Sequence, residues 1–232
     1  MCGRFAFYSA HEAIARLFGV ADAPEVEPHW NIAPTQFVPA VRERAGGAGR
    51  RLALHYWGLV PFWAEDKAIG ARMINARGET LRDKASFREA YRMRRCLVLA
   101  DGYYEWQRSG AVKQPHFIHL ASSEPFGMAG LWESWRDRAS GERLESCTIV
   151  TTQPAASIAH LHDRMPVILP PAVHAEWLDP GNEDVVRLDR LLVPYDVASI
   201  AARPVSPRVN NARNEGAELI EPVAAQQELI IR

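Results

Sequence analysis

Long apolar runs are missing from this 232-residue chain: no stretch approaches the ~18–20 residues needed to cross a bilayer as a helix, so no membrane span is expected. Cysteine is scarce. Cys2, Cys96 and Cys147 cannot build a disulfide framework and match no zinc spacing, which points to a reducing cytoplasmic compartment and to no metal or cofactor. Excess charge of either sign is absent as well, with 27 Lys+Arg against 28 Asp+Glu and a net charge of −1. Bulk electrostatics therefore do not mark a nucleic-acid binder, and any such role needs a local basic patch. The start, MCGRFAFYSA, lacks a basic flank followed by an apolar core, so no secretory leader is expected there. Repeats and low-complexity tracts are absent too. The glycines of the 45–49 stretch read as a loop tip between two strands.

What is present is β-rich. Apolar, β-branched and aromatic runs predict strands at 3–8, 36–42, 51–57, 96–100, 103–108, 116–121, 126–131, 146–151, 167–169 and 203–205. Ser109-Gly110 is turn material for a hairpin. Helical signals are few and short. Ser9 and Glu12 stand at capping-box spacing ahead of Ile14, Leu17 and Phe18; Ser86 and Glu89 repeat it, and Pro170-Pro171 opens a segment with Trp177 and Leu178. Strands outnumber helices without alternating with them. The expectation is an α+β fold, one β-rich domain over 1–232 with short peripheral helices.

Cys2 is the most informative residue. Removal of Met1 would leave an α-amine and a thiol on adjacent carbons. An α-amine of pKa ≈ 7.7–8.0 is partly neutral at pH 7, and the thiol is a good nucleophile. Together they trap an aldehyde twice, as a Schiff base and then as a five-membered ring. The plain alternative is a small residue that merely permits Met removal. Asn75, Arg77 and Glu79 share one face if extended, although a solvated strand face would look the same. Glu105 stands between Tyr104 and Trp106, where partial desolvation would raise its pKa toward proton-transfer range. His160, His162, Asp163 and Arg164 precede a strand. A metal site there lacks a third ligand, and acid–base work beside an anion-binding Arg suits the set better. The amide-rich segment Val209-Asn210-Asn211-Ala212-Arg213-Asn214 reads as structural ties. Seven tryptophans are mostly core material, but those near Arg4, Arg72, Arg77 and Arg164 could stack bases.

In order along the chain, Met1-Cys2-Gly3-Arg4-Phe5, Trp30-Asn31-Ile32-Ala33-Pro34, Trp57-Gly58-Leu59-Val60-Pro61, the Asn75 segment, residues 100–106, His162-Asp163-Arg164-Met165-Pro166 and the amide-rich segment resemble the SRAP proteins, named SOS response-associated peptidases. The resemblance implies a compact β-rich SRAP fold with a cationic groove for single-stranded DNA. It makes Cys2 the nucleophile that forms a thiazolidine with an opened abasic sugar. Asn75 would orient the Cys2 amine, Glu105 would serve as acid and base, and His162 (selected over His160 by the family motif) would transfer a proton during ring opening. Arg4, Arg77 and Arg164 would meet phosphates, and Trp106 would contact the strand. Autocatalytic loss of Met1 follows from the same resemblance. A monomer is the default expectation for a self-sufficient domain, and action at the nucleoid or replication forks without a cofactor is expected. The competing readings are an N-terminal-nucleophile cysteine peptidase or amidohydrolase and a non-catalytic single-strand-binding module.

Overall fold

The computed structural model describes residues 2–21, 24–109, 112–195 and 197–224. Five strands close on themselves: β3 (Phe37–Glu43), β4 (Arg50–Trp57), β6 (Arg95–Ala100), β9 (Phe126–Arg136) and β10 (Arg143–Thr152) run in the order β10-β4-β3-β6-β9, and β9 pairs again with β10. All pairings in this ring are antiparallel except β4 with β10. Closure leaves no open edge among the five. The register puts Val38, Ala40, Cys96, Val98, Met128, Cys147 and Ile149 on one face, all buried, and Leu97, Leu99, Ala129 and Leu131 on the other, buried as well. The short strands β5 (Asn75–Arg77), β11 (Met165–Pro166) and β12 (Ile168–Leu169) extend the barrel wall, with β5 parallel to β10.

A second sheet is ordered β13-β8-β7-β1-β2, from β1 (Phe5–Phe7), β2 (His29–Ile32), β7 (Gly102–Ser109), β8 (Val112–Leu120) and β13 (Ile200–Pro204). The expected hairpin forms, with Tyr103 opposite Ile118 and Ser109 opposite Val112; Gly110 of its turn lies outside the described residues. The α+β, β-rich expectation is therefore met. Its strand set omits the short strands β2, β5 and β11, ends 126–131 five residues early and begins 146–151 three residues late. Beyond those ends Trp132, Trp135 and Leu144 continue the pairing between β9 and β10. The segment 203–205 starts three residues late, since β13 begins at Ile200.

Neither capping box forms. Helix α1 (His11–Phe18) has Ala10 at its N-cap, and the Ser9 hydroxyl is donated to Asp101, whose carboxylate also accepts the Tyr8 and Ser9 amides at 2.6 and 3.0 Å. A buried acid from the junction of β6 and β7 thus outcompetes the local cap. Helix α2 (Arg88–Met93) begins after Phe87, again without a side-chain cap. Pro171 does open the turn leading into α3 (His174–Leu178), and Asp184 caps α4 (Val185–Asp189). Arg95, 2% exposed, donates to the carbonyls of Tyr91, Arg92, Trp177, Asp179 and Asn182, so one buried cation satisfies the C-terminal ends of α2 and α3.

Two devices fix the start of the chain and the β5 segment. Asn31, fully buried, accepts from Arg4 Nη1 at 2.7 Å and donates to the carbonyls of Asn211 and Asn214 at 3.0 and 2.9 Å. The backbone of the amide-rich segment is thus held by Asn31, and of the segment's own amides Asn214 Nδ2 donates to the Arg208 carbonyl at 2.7 Å. Asn31→Ala removes this hub and strands several buried polar groups. We expect a loss of about 2–4 kcal/mol in urea unfolding. The second device is a glycine pair. A Cβ on Gly58, whose φ is 143°, would lie 2.6 Å from the Gly70 carbonyl oxygen, and a Cβ on Gly70 would lie 2.5 Å from that of Gly58. Only glycines permit that approach. It lets Leu59 N–H reach the Met73 carbonyl and Trp57 Nε1–H the Ile74 carbonyl at 2.9 Å, which delivers Asn75 beside the N-terminus.

Candidate active site

Cys2 is fully buried, just before β1, and Phe5 of that strand packs edge-on against Trp57 with ring centroids 5.0 Å apart. Asn75 Nδ2 donates to the Cys2 carbonyl at 2.7 Å. Its Oδ1 is buried with no hydrogen-bond partner among the described residues. Burial, reinforced by the Glu105 carboxylate, pushes the Cys2 thiol well above its ordinary range, so the sulfur is protonated at neutral pH.

Glu105 comes from β7, which runs antiparallel to β1. Tyr104 N–H donates to the Arg4 carbonyl at 2.9 Å, and this register brings Glu105 to the Cys2 end of β1. The side chain is nearly sealed, and burial pushes its carboxyl up to about 7. Its acid and base forms are then both populated at neutrality, as a proton shuttle requires. His162 Nε2 lies 3.9 Å from Glu105 Oε2. Two groups face His162 Nδ1: the Arg164 amide N–H at 3.0 Å and the Asp163 carboxylate at 2.8 Å. The Asp163 side chain is 87% exposed, so water weakens its hold. The Arg164 amide is held by the backbone and sets Nδ1 as acceptor, placing the imidazole proton on Nε2, toward Glu105. Burial holds this imidazole below its usual range, and it is neutral at pH 7.

An open cleft of about 690 Å³ joins Glu105, Trp106, His160 and His162 to Arg108, Lys113 and Asn210. Trp106 Nε1 donates to Asn210 Oδ1 at 2.7 Å, which fixes the ring on the cleft wall. The fold therefore brings Cys2, Asn75, Glu105 and His162 together from four separate segments. The cations behave differently. Arg4 is half-buried and spends Nη1 on Asn31 and on the Val209 carbonyl at 2.8 Å. Arg164 forks onto Glu79 at 2.7 and 2.9 Å and also donates to the Thr151 carbonyl. Arg77 is exposed at the end of β5. Trp57, Trp135 and Trp177 are core; Trp63 is exposed.

A family model described as SOS response associated peptidase (SRAP) matches residues 1–212. The chain belongs to the SRAP family. Among its relatives, Abasic site processing protein YoqW of Bacillus subtilis (strain 168) is 44% identical over 225 residues, covering 95% of this chain and 99% of that protein. Abasic site processing protein YedK of Escherichia coli (strain K12) is 32% identical, covering 96% and 100%. Abasic site processing protein HMCES of Xenopus tropicalis is 32% identical, with 89% of this chain matching 69% of that protein. A crystal structure of a protein from Bacteroides thetaiotaomicron superposes with a TM-score of 0.85 at 24% identity, covering 96% of this chain and all of that one, which shows the shared fold.

Three features of this SRAP chain lay beyond sequence reading. Tyr103 is fully buried, its hydroxyl has no hydrogen-bond partner among the described residues, and it couples electrostatically to Cys2 and Glu105. Its position two residues before Glu105 puts both side chains on one face of β7, a signal that alternation could have supplied. Arg108 and Lys113 are the second feature, overlooked because they flank a turn. The third is the pairing of Glu79, singled out with Asn75 and Arg77, to Arg164.

Proposed function

We propose that this SRAP protein traps abasic sites in single-stranded DNA by a covalent bond to Cys2, acting as a monomer after Met1 has been removed from its own chain. The supporting observation is the convergence of Asn75, Glu105 and His162 on Cys2; the names of the relatives supply the substrate. Met1 lies outside the described residues, and its loss by hydrolysis of the Met1–Cys2 peptide bond is the autopeptidase step of the proposal.

The buried, protonated thiol argues that the amine reacts first. Asn75 holds Cys2 by its carbonyl, and its unpartnered Oδ1 is the natural acceptor for an N–H of the freed α-amine. His162, with its proton on Nε2, assists opening of the sugar to the aldehyde. The amine adds to the aldehyde carbon, Glu105 delivers a proton to the departing hydroxyl, and water leaves to give the iminium. The thiol then adds to the same carbon. Glu105, now a carboxylate, takes its proton, and a thiazolidine results. Aldehyde plus aminothiol thus become thiazolidine plus water. No redox partner is required, and the ring removes the iminium that would promote strand cleavage by β-elimination.

Phosphates of the strand are met by Arg77, which is exposed. Arg164 reaches phosphate only by leaving Glu79 and Thr151, while Arg4 keeps Nη1 on Asn31 and Val209, so their first contribution is positive potential and the fixing of β1 and β5. The test is a denaturing gel and intact-mass measurement after incubation with an abasic single-stranded oligonucleotide. The expected product is one oligonucleotide per chain lacking Met1, with the summed mass of that chain and the oligonucleotide less one water. A mass showing Met1 retained in the adduct overturns the chemistry.

The ion pair between Arg164 and Glu79 gives a separate expectation. Glu79 is half-exposed and held below the usual carboxylate range by Arg164. Glu79→Gln frees the guanidinium, and binding of intact single strands should tighten about two- to fivefold at low salt, read by fluorescence anisotropy.

A further inference from the structure

Arg108 and Lys113 stand directly opposite one another across the β7–β8 hairpin. Both are exposed, and both line the cleft that holds Glu105 and His162. Like charges at facing positions of an antiparallel pair destabilise each other. Here nothing offsets that repulsion: among the described residues neither cation makes an ion pair, and the one carboxylate lining the cleft is the buried Glu105. A hairpin that keeps two facing cations beside a reactive centre has a use for an anion there.

The neighbouring side chain narrows the class of anion. Trp106 and Arg108 are two residues apart on one face of β7, about 7 Å along the strand. Trp106 is held by Asn210 with part of its surface open to the cleft. An aromatic plate followed by two cations matches one nucleotide unit, a base that stacks and a phosphate that pairs. Arg108 also acts on the centre itself, since its charge helps hold the His162 imidazole neutral.

We propose that Arg108 and Lys113 form a clamp for a single phosphodiester of the nucleic-acid strand, on the Trp106 side of the reacting sugar. The location relative to the sugar rests on the proposed function; the clamp itself does not. It lies about 10 Å from Glu105 along β7, so it grips the strand next to the lesion rather than the reacting sugar.

The experiment uses the full chain carrying Cys2→Ala and an intact, non-abasic single-stranded oligonucleotide, so binding is read apart from any covalent step. Each phosphate contact on a single strand contributes about 0.7 to the slope of log K against log salt. Arg108→Gln with Lys113→Gln should weaken binding about fivefold near 0.1 M salt and flatten that slope by about 0.7. Lys113→Gln alone should flatten it by less than the double variant does. Arg138→Gln, an exposed cation outside the cleft, serves as the control and should leave the slope unchanged. Circular dichroism of both variants establishes that they are folded. An unchanged slope in folded double variant overturns the clamp, even if the parent protein crosslinks abasic DNA. A flattened slope in a protein that never crosslinks keeps the clamp and overturns the proposed function. No measurable binding of intact strands by the Cys2→Ala parent overturns the clamp.

Discussion

Cys2→Ala forms no adduct with abasic single-stranded DNA that survives denaturation, yet it binds the strand within about twofold of the parent protein. The argument rests on which atom closes the ring. Alanine keeps the α-amine, so the Schiff base still forms and can still hydrolyse, but no sulfur is present to convert it to the thiazolidine. Adding borohydride to the Cys2→Ala reaction should therefore restore a stable band, by reducing the C=N bond to an amine. That recovery separates an amine-first route from one in which the thiol attacks alone, because a thiol-only mechanism leaves nothing for hydride to trap. Cys2 lies fully buried, and losing its sulfur costs about 1 kcal/mol, too little to unfold the chain. If the variant gives no band with borohydride while binding normally, the order of steps proposed here is wrong.

Cys2, Glu105, His162 and Arg164 stood out in the sequence because their local contexts are distinctive: a Cys at position 2, an acid between aromatics, a His and Arg before a Pro. Their juxtaposition did not. Asn75 reaches Cys2 only because β5 pairs in parallel with β10 and because Gly58 and Gly70 meet back to back, contacts made between segments far apart in the chain. Periodicity reads neighbours along a strand, not the closure of β9 onto β10, so the barrel could not be foreseen from alternation. The arginines show the same limit. Arg4 looks like an open cation in sequence, but its hydrogen-bond partner Val209 is 205 residues away, and the fork of Arg164 onto Glu79 spans 85. The two capping boxes failed for a related reason: at Ser9 a buried Asp101, 92 positions on, competes for the hydroxyl that local spacing assigns to the helix. Legibility was high where chemistry demands a rare residue in a rare place. It was low where a common polar residue had several partners to choose from.

Glu105→Gln should slow crosslinking by 10²- to 10⁴-fold, the range typical of a lost acid–base group, and the shape of the pH profile should change with it. In the parent protein two titrations oppose each other. The α-amine, with an ordinary pKa near 7.7–8.0, attacks only when neutral, so the rate rises with pH up to that value. The Glu105 carboxyl, pushed up to about 7, donates its proton only in the acid form, so the dehydration step slows as pH climbs past 7. The product of the two is a bell centred near neutrality. Glutamine does not titrate, so the alkaline limb disappears and the slow residual rate should rise to a plateau above pH 8. A bell of unchanged shape in Glu105→Gln would assign the alkaline limb to another group. The same burial that poises Glu105 also destabilises the fold. Between the unfolded carboxyl pKa near 4.3 and the folded value of about 7, the native state binds more protons than the unfolded chain, so stability falls as pH rises through that window. Above pH 7 the folded protein carries a buried carboxylate that glutamine would replace with a neutral amide of similar shape. The inactive variant should thus be more stable than its parent at pH 8, by about 1–3 kcal/mol in urea unfolding, and indistinguishable from it near pH 4. Equal stability at both pH values would show that Glu105 is not held in the desolvated state on which its role as a proton shuttle depends.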